Sequence, residues 1–402
     1  MKKMISRILL LLCIVLLSVA FTACDSDETI TLNVYNWGEY ISDGSEGSLN
    51  VNKEFEKYYF ETYGIKLKVN YTTYASNEDM YAKLKSGATS YDVVIPSDYM
   101  IARMIAEGML AELDFSNIPN SEYIVDNYRN QYYDPENRYS IPYTCGMVGV
   151  IYNTTMVDEA DAGTWDLLWN EKYHGKILQF NNSRDAFGTA MYRLGIDVNT
   201  RDESEWRAAT DALKAQKPLV QSYVMDEIFN KMKGESGAIA PYYAGDFLSM
   251  YDANNNLAFY YPEEGTNIFV DAMCVPIGST QKDVAECYIN FMLTHEIAVA
   301  NAEYICYASP HRLVIEDPDY IEYMSSMHED AIEILYPTKE IKATYYQNLS
   351  ADTLSMLNGL WEELKIESSG GEGVYICSAV IATVLAVWFT FLFIRKKYRD
   401  NY

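Results

Sequence analysis

The stretch Thr29-Ile30-Thr31-Leu32-Asn33-Val34-Tyr35-Asn36-Trp37-Gly38-Glu39-Tyr40 decides the fold class. Residues 29–36 place Ile30, Leu32 and Val34 at alternate positions, the period of a strand with one buried face. Outward from it, residues 49–63 have helical spacing and stop at Gly64, and residues 65–71 alternate again as a strand. Ser76 with Asp79 three residues on resembles a capping box, opening a helix that ends near Gly87. Residues 91–95 form a short apolar strand that Pro96 breaks. Strands alternating with helices predict a parallel sheet with helices on both faces. Ligands of such sheets bind outside the carboxyl ends of the strands, so the loops at Trp37–Tyr40 and Ser97–Tyr99 are the ones to watch.

A second α/β stretch begins after Ile141-Pro142-Tyr143. A strand at 176–180 leads to 181–185 and a helix through Leu194, and a strand near 237–241 leads to 242–246. Residues 268–276 read as a strand with Asp271 inside it. A helix at 284–294 and the region 320–364 close this part of the chain, and no internal repeat or low-complexity tract is visible.

The ends carry targeting signals. Lys2, Lys3 and Arg7 precede an uncharged apolar run, 8–23, which is short for a membrane span and has the order of a secretory signal. It ends Thr22-Ala23-Cys24, which resembles a lipobox, so that residues 1–24 are an export signal and Cys24 the lipidated residue. Phe21 is larger than that pattern wants, and ordinary cleavage after Ala20 is the alternative. Residues 367–373 are a flexible linker by composition. Residues 374–394 hold no charge and would be roughly 30 Å long as a helix, enough to span a bilayer. Arg395, Lys396, Lys397 and Arg399 then place the tail 395–402 in the cytoplasm and the preceding domain outside, at the cell surface or in a periplasm. A buried core helix is the alternative for 374–394, against which its flanks argue.

Between the ends lie about 340 residues, enough for one large bilobed domain or two smaller ones. The chain has 57 acidic residues against 31 basic ones, which argues against nucleic acid as a partner and suits a cationic ligand, although an acidic solvated surface accounts for most of it. Cys145, Cys274, Cys287 and Cys306 lack C-x-x-C spacing, and their pairing cannot be read from sequence. The four histidines form no zinc-type cluster, and there is neither a Gly-rich phosphate loop nor a G-x-S-x-G. No metal, cofactor or catalytic role is expected.

The stretches Tyr35-Asn36-Trp37-Gly38-Glu39-Tyr40, Asn77-Glu78-Asp79-Met80-Tyr81-Ala82-Lys83-Leu84, Tyr91-Asp92-Val93-Val94-Ile95-Pro96-Ser97 and Tyr139-Ser140-Ile141-Pro142-Tyr143, in this order, resemble the spermidine/putrescine-binding proteins of bacterial ABC importers. The resemblance runs from about 30 to 366. It implies an α/β, type II periplasmic-binding-protein fold: two lobes joined by crossing hinge strands at 141–152 and 269–276 that close on ligand. Lobe 1 would comprise 29–143 and 271–318, and lobe 2 would comprise 144–270 and 319–366. It also implies a monomer that delivers its polyamine to permease subunits in the membrane. The C-terminal transmembrane helix is not part of that pattern.

A polyamine is a flexible hydrocarbon rod with an ammonium at each end. A closed cleft must offer it carboxylates, because unpaired buried charge is costly, and flat aromatic walls that also attract cations. By resemblance, Trp37, Tyr40, Tyr99, Tyr243 and Phe269 would form the aromatic box. Glu39, Asp185 and Asp271 would accept the ammonium hydrogens, with Ser97 and Gln347 as neutral partners. Tyr243-Ala244-Gly245-Asp246 resembles the W-A-G-D pattern of putrescine-type members, which would set Asp246 on a terminal ammonium. Asn182 stands where spermidine-type members carry an aspartate, and Gly38 replaces a small polar residue; together with Asp246 this tilts the reading toward putrescine. Each group has a plainer alternative: a tyrosine among 36 as packing, Phe269 as core, Asp185 as a helix N-terminal residue. Asp271, inside an apolar strand, is the hardest to explain structurally.

Three rivals remain from the sequence. An enzyme on the same scaffold, one resembling thiaminases, would need an activated cysteine, with Cys145 and Cys274 on the expected crossings. A ferric-ion receptor would use the tyrosines as hard ligands. The C-terminal span prompts a membrane-tethered polyamine sensor.

Overall fold

The computed structural model describes residues 29–366. The expected signal at 1–24 with Cys24, and the expected linker 367–373, span 374–394 and tail 395–402, lie outside the described residues. Among those described, no helix is long and apolar enough to cross a membrane.

Ten strands form one sheet: β1 (Ile30–Trp37), β2 (Leu67–Tyr74), β3 (Val93–Val94), β4 (Ser140–Asn153), β5 (Ile177–Phe180), β6 (Val220–Val224), β7 (Ile239–Tyr243), β8 (Leu257–Tyr260), β9 (Thr266–Cys274) and β10 (Ala343–Tyr345). Their order in space is β2-β1-β3-β9-β4-β7-β5-β6, with β10 beside β9 and β8 beside β4. This is the α/β periplasmic-binding-protein architecture with a two-lobe sheet.

The expected strand–helix alternation is present with shifted edges. Helix α1 (Val51–Tyr63) starts where the Asn50 side chain accepts the Lys53 N–H and stops at Gly64, whose φ of 69° suits a residue without Cβ. Helix α2 (Asn77–Ser86) is opened by Ser76, whose hydroxyl oxygen accepts the Asp79 N–H. The helices α3 (Asp98–Ala106), α4 (Ser183–Leu194), α5 (Glu203–Gln216), α6 (Glu227–Lys233) and α7 (Ala244–Ala253) follow, and α8 (Lys282–Met292) and α9 (His295–Ile305) come after β9. The strand expected at 65–71 begins two residues later, because Ile65 lies out in solvent. The apolar run 91–95 contributes only the two residues of β3 to the ladder.

The expectation of a parallel sheet is corrected to a mixed one. β1 pairs in parallel with β2 and β3, and β5 with β6 and β7, but β9 runs antiparallel to β3 and β4, and β4 antiparallel to β7 and β8. The reason is connectivity. β4 carries the chain from the β1–β3 end of the sheet toward β5–β8 and β9 carries it back, so the two strands lie side by side in opposite directions. They overlap the stretches 141–152 and 269–276, and their ladder runs from Ser140↔Cys274 to Met147↔Ile268 with a bulge between Pro142 and Thr144. Apolar residues pack around these strands in two clusters: Leu32, Val34, Phe55 and Tyr288 in one, and Trp165, Leu178, Phe187, Trp206 and Phe247 in the other, are fully or almost fully buried.

Candidate functional site

The cavity between the lobes encloses about 800 Å³, counting space open to solvent. Its walls are the residues that follow strand ends. Trp37, Glu39 and Tyr40 leave β1; Ser97, Asp98 and Tyr99 open α3; Asn182, Arg184 and Asp185 open α4; Tyr243 ends β7, and Asp246 lies in the first turn of α7. The floor is β9, where the two-residue period sets Asn267, Phe269 and Asp271 on one face, and all three line the cavity.

Four of the carboxylates are each held by a tyrosine hydroxyl, Glu78 by Tyr99, which donates to its Oε1 at 3.0 Å. Tyr40 donates to Asp271 Oδ2 at 2.6 Å, Tyr243 to Asp185 Oδ2 at 2.7 Å and Tyr307 to Asp246 Oδ2 at 2.8 Å. The Tyr40 hydroxyl also meets Thr144 Oγ1 at 2.6 Å. Asp271 Oδ1 is buried with no hydrogen-bond partner among the described residues. A buried carboxylate left half satisfied is expensive. Burial accordingly pushes Asp271 up to about 6, against the lowering effects of the Ser97 side chain and then the Tyr40 hydroxyl, and Asp246 up to about 8, against that of Tyr307; it raises Asp185 too. Asp98 is likewise pushed up to about 8 by burial, although it accepts the Val270 N–H at 3.1 Å and so ties α3 to β9.

The walls are aromatic. Phe269 stands edge-on to Tyr243 with ring centroids 5.4 Å apart and lies 6.1 Å from Tyr307, which meets Tyr40 edge-on at 5.1 Å. Trp37 leans on Tyr74 at 4.7 Å, and its indole N–H has no partner among the described residues. Seven carboxylates line the cavity against one basic side chain, Arg184. Its guanidinium lies 4.4 Å from the Tyr346 ring centre, and its charge draws down the carboxyls of Glu78 and Asp185 against their burial.

Of the residues singled out from sequence, Trp37, Glu39, Tyr40, Ser97, Tyr99, Asp185, Tyr243, Asp246, Phe269 and Asp271 all line this one cavity. Glu39 is solvent-exposed at its rim in a left-handed conformation, φ 50°, uncommon for a residue with a side chain. Asp185 also has its plainer role: its N–H is capped by Asn182 Oδ1 at 2.8 Å, and Asn182 Nδ2 returns a bond to its carboxylate at 2.6 Å. Gln347 must be corrected. It is exposed and does not line the cavity; its backbone N–H donates to Asn199 Oδ1 at 2.8 Å. The residue facing in after β10 is its buried neighbour Tyr346, because adjacent residues of an extended chain point to opposite sides.

Sequence reasoning missed Glu78, Asp98, Arg184, Asp226, Tyr307 and Tyr346 as cavity residues. Asp226 could have been found, since it follows a strand, β6, that the sequence reading did not mark. Tyr307 and Tyr346 follow no strand long enough to announce them.

The cavity aromatics are seated tightly. A Cβ on Gly245 would lie 2.3 Å from Tyr307 Cδ2. Gly245→Ala must therefore shift the start of α7 or push Tyr307 off Asp246. We expect it to lower stability by about 1–3 kcal/mol and to weaken ligand binding at least about tenfold; unchanged melting and unchanged affinity would refute this seating.

The described cysteines, Cys145, Cys274, Cys287 and Cys306, are free thiols. Burial pushes Cys145 up to about 12 and raises Cys274 as well, the reverse of what an activated thiolate needs. Among the described residues no group of three His, Cys, Asp or Glu could hold a metal ion.

Residues 88–322 match the family described as bacterial extracellular solute-binding protein. The spermidine/putrescine-binding periplasmic protein of Escherichia coli K12 is 34% identical over 297 residues, covering 73% of this chain and 82% of the relative. Among solved structures, a putative spermidine/putrescine ABC transporter from Listeria monocytogenes superposes with a TM-score of 0.73 at 33% identity, covering 84% of this chain and 99% of that one. A lipoprotein of Treponema pallidum superposes with a TM-score of 0.67 at 25% identity, covering 83% of this chain and 99% of that one. The chain thus belongs to the bacterial extracellular solute-binding proteins, among the spermidine/putrescine-binding members of that family.

Proposed function

We propose that this protein is the extracytoplasmic receptor of an ABC importer, binding putrescine or spermidine between its lobes and delivering it to permease subunits in the membrane. The observation that carries the reading is the composition of the cleft: seven carboxylates against one guanidinium, between aromatic walls, with a buried oxygen of Asp271 still lacking a donor among the described residues. An ammonium supplies that donor, and the methylenes between two ammoniums match the faces of Phe269, Tyr243 and Trp37. Hard cations prefer oxygen ligands alone, so the aromatic surface beside the carboxylates favours an organic cation over ferric ion. The raised, buried thiols argue against a cysteine enzyme on this scaffold.

The lobes in this reading are 29–143 with 271–318 and 144–270 with 319–366, and the protein works as a monomer. Ligand shifts the population toward the closed form by bridging carboxylates from both lobes. Glu39 comes from the first, Asp185 and Asp246 from the second, and Asp271 from the crossing. Cys24 and the span 374–394 would keep the receptor at the membrane. Calorimetry of the purified protein against putrescine, spermidine, a sugar, an amino acid and ferric ion tests the function. Saturable heat with a polyamine alone is expected; saturable binding of another class with none for polyamines would sink the reading.

A further inference from the structure

Strands β5 and β6 pair in parallel with Phe180 opposite Val224. Two residues beyond each partner stand Asn182 and Asp226, so these side chains leave the carboxyl ends of neighbouring strands at the same level. Asn182 Nδ2 lies 3.8 Å from the sulfur of Met225, the residue before Asp226. The two positions open helices α4 and α6, but they behave differently. The Asn182 side chain caps its helix through the Asp185 N–H, whereas the Asp226 side chain makes no cap bond with its own. The ordinary structural reason for an aspartate at that position is therefore missing.

The carboxylate of Asp226 instead crosses toward the other lobe. A Cβ built on Gly38 would lie 2.6 Å from Asp226 Oδ2, so any side chain at position 38 would contest that space. Gly38 sits between Trp37 and Glu39, and Asp226, Glu39 and Asp246 all line the cavity. Burial and the Glu39 charge both raise the Asp226 carboxyl. Two like charges meeting from opposite lobes oppose closure until a cation comes between them. The same cavity holds Asp271, with its buried oxygen lacking a donor among the described residues, as an independent sign that a hydrogen-bonding cation belongs there.

We propose that Asp226 is a ligand-binding carboxylate of this cleft. It enters through the space that Gly38 leaves and brings to the ligand's ammonium the charge that Asn182, on the neighbouring strand, does not carry. This rests on the polyamine reading above and adds a residue that fixes which end of the cleft holds an ammonium.

The test is putrescine and spermidine affinity by calorimetry on the purified full chain. Asp226→Asn is expected to weaken binding about tenfold, whereas Asp211→Asn, which removes the same charge from the exposed face of α5, leaves it unchanged. Asn182→Asp added to Asp226→Asn returns part of the loss. Gly38→Ser weakens binding in the wild-type background and adds little once Asp226 is asparagine, since both changes act on one contact. Wild-type binding with an unchanged Asp226→Asn overturns this proposal and leaves the function standing. So does a loss that Asp211→Asn reproduces, because that marks a long-range charge effect. A wild-type protein that binds neither polyamine overturns the parent reading itself.

Discussion

Asp271→Asn is expected to weaken putrescine binding roughly tenfold to several hundredfold while leaving the unliganded protein at least as stable as the wild type. Asp271 is almost completely buried. One of its oxygens accepts the Tyr40 hydroxyl at 2.6 Å, and the other has no partner among the described residues. Losing one charge-assisted hydrogen bond to an ammonium costs ~1.5–3 kcal/mol, and breaking a buried ion pair costs more; at 1.4 kcal/mol per decade this gives the range stated. Without ligand the balance reverses. Burial pushes the carboxyl up to about 6, so at neutral pH the empty cleft carries a charge it disfavours, and an amide oxygen can still accept from Tyr40. Apo melting temperature and affinity measured on one preparation separate the roles. A large drop in apo stability with intact affinity would make Asp271 a structural residue.

The second large effect is on pH. Asp271, pushed up to about 6, and Asp246, pushed up to about 8, are both held above the ordinary 3.8 by burial. Between 3.8 and these values the folded apo protein binds more protons than the unfolded chain, so its stability falls as pH rises through that window. A bound ammonium favours the ionised carboxylates and must displace those protons. Affinity is therefore expected to rise from pH 5 to pH 8, by about tenfold per pH unit for each carboxyl still protonated, with proton uptake by the buffer on binding. Calorimetry at pH 5, 6, 7 and 8 in buffers of different ionisation heat checks both parts. An affinity flat across that range would mean that neither carboxylate meets the ligand's charge.

The sequence made the first lobe legible because its signals are local. Alternation marks β1 and β2, and Ser76 and Gly64 punctuate the helices with caps that the structure contains. Trp37, Glu39, Ser97 and Tyr99 follow directly, since a strand end followed by a helix start is where a cleft forms. What escaped depends on pairing across long separations. The antiparallel placing of β9 between β3 and β4 has no local signature. Gln347 was assigned by resemblance alone, and the three residues of β10 are too few to show from sequence that its neighbour Tyr346 faces in. Asp226 escaped because β6 was unmarked, and its meeting with Gly38 is a contact between residues far apart in the chain. Tyr307 reaches Asp246 from the turn after α9, where its predecessor Cys306 takes a left-handed φ of 59°, and nothing in the residue types announces that geometry.

The place of β9 in the sheet also bears on how the chain reaches its native state. β9 lies between β3 and β4 in space, but in the chain it comes after β5, β6, β7 and β8. Until it arrives, β3 and β4 each present a bare edge, and neither half of the sheet can be completed from the segments already synthesised. Such non-local pairing closes slowly, since the entropy of ordering long intervening segments must be met before the contacts form. The polypeptide is thus committed late, and a ribosome-bound or truncated product ending before Thr266 has no finished domain. On the extracytoplasmic reading proposed above, a topology that postpones its own completion favours export, because the precursor stays unfolded until Thr266–Cys274 has been made.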